Sequence, residues 1–290
     1  MSELIAYAIP VFLALLVAEA ALSARHRRRG QAGYEVRDTF ASLAMGVGNV
    51  AVSALAKGGA LALFFAAYRL SPFEQGTGPL AWALLVLLED LCYYAFHRAH
   101  HEVRFFWAAH VNHHSSRHFN LSTALRQSWT TPFTGPWFWL PLALLGFHPL
   151  MIVTAQAVSL IYQFWIHTEW IGRLGPLEWV LNTPSHHRVH HGRNVQYLDR
   201  NYAGIFIVWD RLFGTFEPEG ERVDYGLTRN LASFHPVRIA FHEWAGLLRD
   251  AMRAADWRER LCHLLLPPGW SPDGSTLTAR QMQAQRLARS

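Results

Sequence analysis

The residues of this 290-residue chain best suited to chemistry are histidines, gathered in three tight clusters. They read His97-Arg98-Ala99-His100-His101, then His110-Val111-Asn112-His113-His114, then His186-His187-Arg188-Val189-His190-His191. Ten of the 17 histidines fall at positions 97–114 and 186–191. Residues three and four apart share a helix face. That spacing turns His97 and His101 together, and likewise His110 with His113 and His114, and His187 with His190 and His191. Packing so many imidazoles side by side is costly unless a cation satisfies their ring nitrogens. Imidazole suits iron, zinc, copper and nickel. A single zinc ion takes four ligands, or three and a water, whereas these clusters supply enough for two ions with positions left open. The zinc-protease pattern fails, because Phe105 and Gly246 stand where His101-Glu102 and His242-Glu243 would need a second histidine. Haem inside spans would use single axial histidines deep in helices. Two irons open to oxygen is the reading left standing. The isolated His26, His118, His148, His235, His242 and His263 are read as ordinary polar residues.

The elements that must position these clusters are apolar. Hydrophobic residues make up 51% of the chain and charged ones 16%, against about 25% charged in a soluble domain. The deficit implies a membrane anchor joined to a polar region. About 20 apolar residues cross a bilayer core, and four stretches qualify. Leu4 to Leu22 carries one charge, Glu19, and reads as a retained anchor rather than a signal peptide, since its basic residues follow it. Thr39 to Tyr68 carries only Lys57 and is long enough to expect a kink near its glycines. Leu80 to Phe96 is the third. The fourth, about 127–168, is chargeless until interrupted by Gly146-Phe147-His148-Pro149, which predicts a helical hairpin that enters the bilayer and returns.

The basic run Arg25-His26-Arg27-Arg28-Arg29 should stay cytoplasmic by the positive-inside rule. The Ser71 to Gly78 loop, free of basic residues, then faces the other side, and every histidine cluster returns to the cytoplasmic face. Glu89 and Asp90 stand inside the third apolar stretch, where ionisable groups are expensive and functional by default. Asp90, Tyr94, His97 and His101 share a face, so Asp90 is a candidate to accept a ring N–H behind a metal ligand; pairing with Lys57 is the plainer alternative. Cys92 and Cys262 are too few and too far apart for a disulfide framework. A net charge of +5 with scattered arginines fits lipid headgroups and no nucleic acid.

These motifs resemble the fatty acid hydroxylase / sterol desaturase superfamily, whose pattern is H-x3-H, H-x2-H-H and a later H-x2-H-H. The likeness is nearest to its alkylglycerol monooxygenases. It is carried by Cys92-Tyr93-Tyr94-Ala95-Phe96-His97-Arg98, by Asn120 through Ser128, by Tyr162-Gln163-Phe164-Trp165-Ile166-His167-Thr168-Glu169, by Asn182-Thr183-Pro184-Ser185, by Asn201-Tyr202 and by Trp209-Asp210-Arg211-Leu212-Phe213-Gly214-Thr215. It covers about residues 80 to 235. The resemblance implies a di-metal centre held by His97, His101, His110, His113, His114, His187, His190 and His191, with His167 a ninth ligand. His100 and His186 sit beside motif positions, and Glu102 matches an acidic position implying cofactor handling or proton management. It implies two iron ions (zinc in some preparations), O2 as co-substrate, and hydroxylation of a membrane-lipid C–H bond. In the nearest group that step cleaves alkylglycerol ethers to fatty aldehyde and glycerol, with tetrahydrobiopterin as reductant. Within the wider superfamily the alternative is a sterol or fatty-acyl desaturase or hydroxylase fed by a small redox protein. A metal-binding membrane protein without turnover is the reading from outside that class.

The expected fold is all-α: an integral-membrane helical bundle with a cytoplasmic helical cap carrying the histidine site. Its parts are anchor spans over 1–96, a histidine-rich catalytic region over 97–235 containing the hairpin, amphipathic helices over 236–275, and a polar, disordered tail over 276–290.

Overall fold

A computed structural model describes residues 3–26 and 33–289. Arg27, Arg28 and Arg29 of the basic run lie outside the described residues. The described chain is helical, with two isolated β-bridges, Leu181 to Phe206 and Gly192 to Tyr225, and no strand. Three helices are long and apolar enough to cross a membrane: α1 (Glu3–His26), α2 (Val36–Arg69) and α3 (Pro79–Glu102). Large apolar side chains such as Val17, Val47, Leu55 and Leu80 point outward from them. Such helices satisfy every backbone group internally, as a bilayer requires.

No break interrupts α2; the helix runs continuously for 34 residues. Its glycines serve a different purpose. A Cβ on Gly46 would come 2.8 Å from the Leu125 carbonyl oxygen, and one on Gly48 would collide with the Trp129 indole. They admit the 125–129 segment against the helix rather than interrupting it. The 127–168 stretch also differs from a pair of straight helices. Its first arm is broken into Thr131–Thr134, Pro136–Trp139 and Leu140–Leu144, each with a proline in its first turn, because proline cannot continue a helix across its own position. Its second arm, Pro149–Trp165, is continuous. The turn between them reaches the α2–α3 connection, where Gln75 donates to the Gly146 carbonyl at 3.2 Å. Gly146 has a φ of +87°, and a Cβ there would strike the Phe73 backbone, so only glycine fits.

The core at this end joins Phe64, Leu85, Phe96, Leu142, Phe147 and Ile152. At the opposite end the chain forms a cap of short helices around the histidines. Arg126, 1% exposed, ties the cap to α2. Its guanidinium pairs with Asp38 at 3.2 Å and donates to the Asn112 carbonyl and the Ser115 hydroxyl. Ser116 donates to the other Asp38 oxygen at 2.5 Å. Two C-terminal helices, Pro236–Arg253 and Trp257–Leu265, follow. The tail corrects expectation. Ala279–Leu287 is a helix opened by a Thr278/Gln281 capping box. It docks through Gln283 on the Leu198 carbonyl and Arg286 on Glu221; a capping box and paired arginines outweigh a polar composition that looked unstructured.

Removing one member of a buried ion pair strands the other charge. Arg126→Met should lower stability by about 3–5 kcal/mol, and the double change with Asp38→Asn should recover most of it. Thermal unfolding of the detergent-purified variants measures both.

Candidate metal centre

Nine histidines converge in the cap. His97, His101, His110, His114 and His190 form one group, and His113, His167, His187 and His191 the other. Within each group the candidate ligand nitrogens all lie within 4.8 Å of one another, and every residue is buried. These are the nine residues nominated from sequence, brought together from four places in the chain. His97 and His101 ride the last turns of α3, directly beyond its apolar stretch. His113 and His114 lie on the short helix Val111–His114, with His110 as its cap. His167 follows Pro149–Trp165, and the last cluster occupies Pro184–His190, started by a proline at its first turn.

The division follows helix geometry. Successive residues on a helix are turned by about 100°, so His113 and His114 face different groups, as do His190 and His191. The i,i+4 pairs stay together: His97 with His101, His110 with His114, His187 with His191. The middle histidine of each H-x-x-H-H motif, His113 or His190, belongs to the other group. Reading each motif as one stripe missed this division.

Tautomers follow from the hydrogen bonds. A carbonyl can only accept, so His97 Nδ1 donates to Tyr202 at 2.8 Å, His167 Nδ1 to Gln163 at 2.8 Å, and His190 Nδ1 to Arg200 at 3.0 Å. Their Nε2 atoms therefore carry lone pairs. His97 Nε2 faces His110 Nε2 at 3.1 Å, His114 Nε2 faces the same atom at 3.2 Å, and His187 Nε2 faces His167 Nε2 at 2.9 Å. The Nε2 atoms of His101, His190 and His191 are buried without a hydrogen-bond partner. Burial, and secondarily the neighbouring imidazoles, holds His110, His114, His187, His190 and His191 well below the usual histidine range, so they are neutral. Clustered neutral nitrogens with inward lone pairs fit transition-metal ions, which bind deprotonated nitrogen.

His100 does not join either group. Its Nδ1 donates to the Phe96 carbonyl and its Nε2 accepts from Thr134, so both ring nitrogens are already satisfied. His186 also stands outside, its ring 5.4 Å from Phe216. Glu102 belongs to neither group; its carboxylate is held by Arg98 at 3.0 Å and Arg280 at 3.2 Å, with the Tyr202 hydroxyl at 3.5 Å. Asp90 touches no histidine. It accepts from the Ile205 and Phe206 amides at 2.6 and 2.9 Å and from the Trp209 indole at 3.0 Å, so loop donors take the place of the expected ring N–H. Glu89 accepts from the Trp139 indole.

Sequence reasoning passed over the segment that serves these rings, residues 199–202. It sets the Arg200 carbonyl on His190, the Tyr202 carbonyl on His97, and the Asp199 carboxylate 3.4 Å from His101 Nδ1. Asp199 and Asn201 have φ of +55° and +56°, which is uncommon for residues other than glycine. Asn201 is fastened by its side chain to the backbones of His186 and Glu217. Asp210 then accepts from the Tyr202 and Ala203 amides, each at 2.8 Å. Asp90 and Asp210 thus clamp one loop from two sides. Asn201-Tyr202 and Asp210 were visible in sequence only as parts of a family likeness.

Three long apolar helices, and buried histidine groups beyond the end of α3 that could hold metal, define the class as an integral membrane protein with a candidate histidine-built metal site. More particularly, residues 82–215 match the family model of the fatty acid hydroxylases. It is 47% identical over 194 residues to the alkylglycerol monooxygenase of Homo sapiens, a match covering 67% of this chain and 43% of that protein. The alkylglycerol monooxygenase of Danio rerio is 49% identical over 191 residues, covering 66% and 43%. The ornithine lipid hydroxylase OlsE of Rhizobium tropici is 29% identical over 175 residues, covering 59% and 53%. The chain therefore spans less than half the length of the alkylglycerol monooxygenases it matches. No solved structure is significantly similar to it.

Three outcomes test this geometry. His190→Ala should lower metal content, while His100→Gln, at a ring whose nitrogens are already partnered, should keep it; elemental analysis separates them. Asp210→Asn removes one acceptor from the clamp and should weaken metal binding by about 10- to 100-fold, read by competition with a chelator. The metal-free protein should lose stability as pH falls through about 6.5, because the unfolded chain takes up protons that the buried rings refuse. A denaturation midpoint flat from pH 8 to about pH 5 would contradict it.

Proposed function

We propose that this protein is a membrane di-iron monooxygenase that hydroxylates a lipid C–H bond, with alkylglycerol ethers as its substrates. The observation that carries the reading is the double set of neutral, buried imidazoles at the end of an apolar helix. The nine histidines nominated from sequence are the proposed ligands. Iron bound there supplies the activation of O2 that hydroxylation of an unactivated C–H bond requires. All-nitrogen donors also accept zinc, so iron loading is part of the assignment. The identity of 47% to an alkylglycerol monooxygenase, against 29% to a lipid hydroxylase of another kind, favours the ether substrate.

The chain's own residues perform three tasks in this proposal. Groups of five and four histidines hold the two ions, with the Nδ1 of His97, His167 and His190 fixed on backbone carbonyls so that their Nε2 points inward. Trp107, Phe119 and Tyr202 pack around the rings, with centroids 5.1 Å from His101, 5.1 Å from His191 and 5.3 Å from His101 respectively, and shield the nitrogens from bulk water. The spans keep a substrate's alkyl chain in the bilayer while its head reaches the cap at the end of α3. Hydroxylation of the carbon beside the ether oxygen gives a hemiacetal, which separates into a fatty aldehyde and glycerol. The other oxygen atom leaves as water, its electrons supplied by tetrahydrobiopterin or a small redox protein. Glu102, braced between Arg98 and Arg280 beside Tyr202, is proposed to face that reductant.

The histidine cap is proposed to be cytoplasmic. The end of α1 bearing Arg25 and His26 lies at the cap, since Ser23 accepts from the Trp170 indole at 3.0 Å, and basic residues favour the cytoplasmic side.

The test is the iron-loaded protein in detergent with an alkylglycerol, tetrahydrobiopterin and O2. Fatty aldehyde release matched to O2 uptake is expected, with His113→Ala inactive. O2 uptake with sterols or acyl lipids but no aldehyde from the ether would move the substrate to that second class. No uptake with any lipid and reductant would overturn the oxygenase.

A further inference from the structure

We propose that the helices Pro236–Arg253 and Trp257–Leu265 lie in the plane of the membrane surface and seat an outward apolar stripe among anionic lipids. Both lie beyond the matched hydroxylase segment. The proposal requires that α1–α3 cross a bilayer, but it is independent of the reaction.

The longer helix has two apolar faces. The inner one, with Ile239, Ala240, Leu247 and Ala251 buried, packs Ile239 and Ala240 against Ala41 and Met45 of α2. The outer one presents Val237, Phe241, Leu248 and Met252, between 41% and 67% exposed, at spacings of four, seven and four that keep them on one stripe. An ordinary surface helix is polar on its outward side; this one is apolar there. The next helix repeats the pattern with exposed Trp257, Leu261 and Leu265 at steps of four.

Charge is sorted in the same sense. The acidic residues Glu243 and Asp250 turn inward onto Arg104, at 2.9 and 2.6 Å. Arg238, Arg249 and Arg253 are exposed and border the outer stripe, and Arg258 and Arg260 follow on the second helix. An apolar stripe flanked by arginines is the composition of an interfacial helix, and cations near the surface favour an anionic leaflet.

The stripe also points the right way. Phe241 lies 6.1 Å, centroid to centroid, from Trp129. Trp129 donates to the Met45 carbonyl and covers Gly48, inside the apolar length of α2. The stripe is therefore on the side of the helix turned toward the span. On α2 itself Phe40, Val47 and Val50 are also exposed.

The experiment uses the full chain, with Cys92→Ser and Cys262→Ser, carrying the fluorophore NBD on Leu248→Cys and reconstituted in phosphatidylcholine vesicles with or without phosphatidylglycerol. Gln285→Cys on the last helix is the aqueous control. The Leu248 label should emit to the blue of the control, resist iodide, and be quenched about two-fold or more by brominated lipid. Phosphatidylglycerol should increase that quenching, and Arg238→Gln/Arg249→Gln/Arg253→Gln should remove the increase. Iodide quenching without bromine quenching would overturn the proposal by placing the stripe in water. Self-quenching that grows with the labelled fraction, without bromine quenching, would overturn it by placing a second copy there. Met252→Cys gives the same readout should Leu248→Cys fail to fold.

Discussion

Lone pairs with nowhere to go govern this structure. Neutral imidazole has one donor and one acceptor, and at His97, His167 and His190 the donor is already spent on a backbone carbonyl. The Nε2 acceptors of His97 and His167 then face the Nε2 of another ring across about 3 Å, and that of His190 is buried with no partner. Burial prevents the histidines of the cap from escaping by protonation. Such an arrangement is expensive as a purely organic core. A pair of cations resolves it by coordinating the inward nitrogens. His100 shows the contrast, since a buried histidine with a carbonyl on one nitrogen and a threonine on the other needs nothing more.

That demand explains how the cap is braced. Rings that must hold their aim cannot sit on loose backbone, and the helices bearing the last two clusters are only four and seven residues long. The stiffness comes from buried charge. Arg126 and Asp38 lock the His110–His114 turn to α2, and Asp90 and Asp210 fix the loop whose carbonyls orient His97 and His190. Asp90 sits on α3 itself, so the helix carrying His97 and His101 also grips the loop that orients His97. Histidine and its support are thereby referred to a single rigid element.

Much of the site was legible because metal ligation leaves its mark in residue type and short spacing. The nine histidines could be named, and Asp90 drew notice because a carboxylate in an apolar helix is expensive. Its actual partners could not be foreseen, since they are amides more than a hundred residues away. The division into two groups is implicit in the helix turn, yet H-x-x-H-H reads equally well as one stripe. The 199–202 loop was hidden for a deeper reason: it acts through backbone carbonyls and left-handed φ values, which side-chain identity does not encode. The three spans were plain from composition. Prolines 132, 136 and 141 did signal a broken first arm, but a long chargeless run obscured them. The final helix was missed because its stability comes from a cap and ion pairs rather than from an apolar face.

The central claim is that the two histidine groups each hold a metal ion through nitrogen alone. It is tested most directly by X-ray absorption at the metal edge, with elemental quantitation, on the detergent-purified full chain. The account predicts two transition-metal ions per chain, one for each group, with a first shell of imidazole nitrogens, supplemented at most by solvent oxygen. A folded protein that binds no metal, or one ion in a shell containing sulfur, would contradict it.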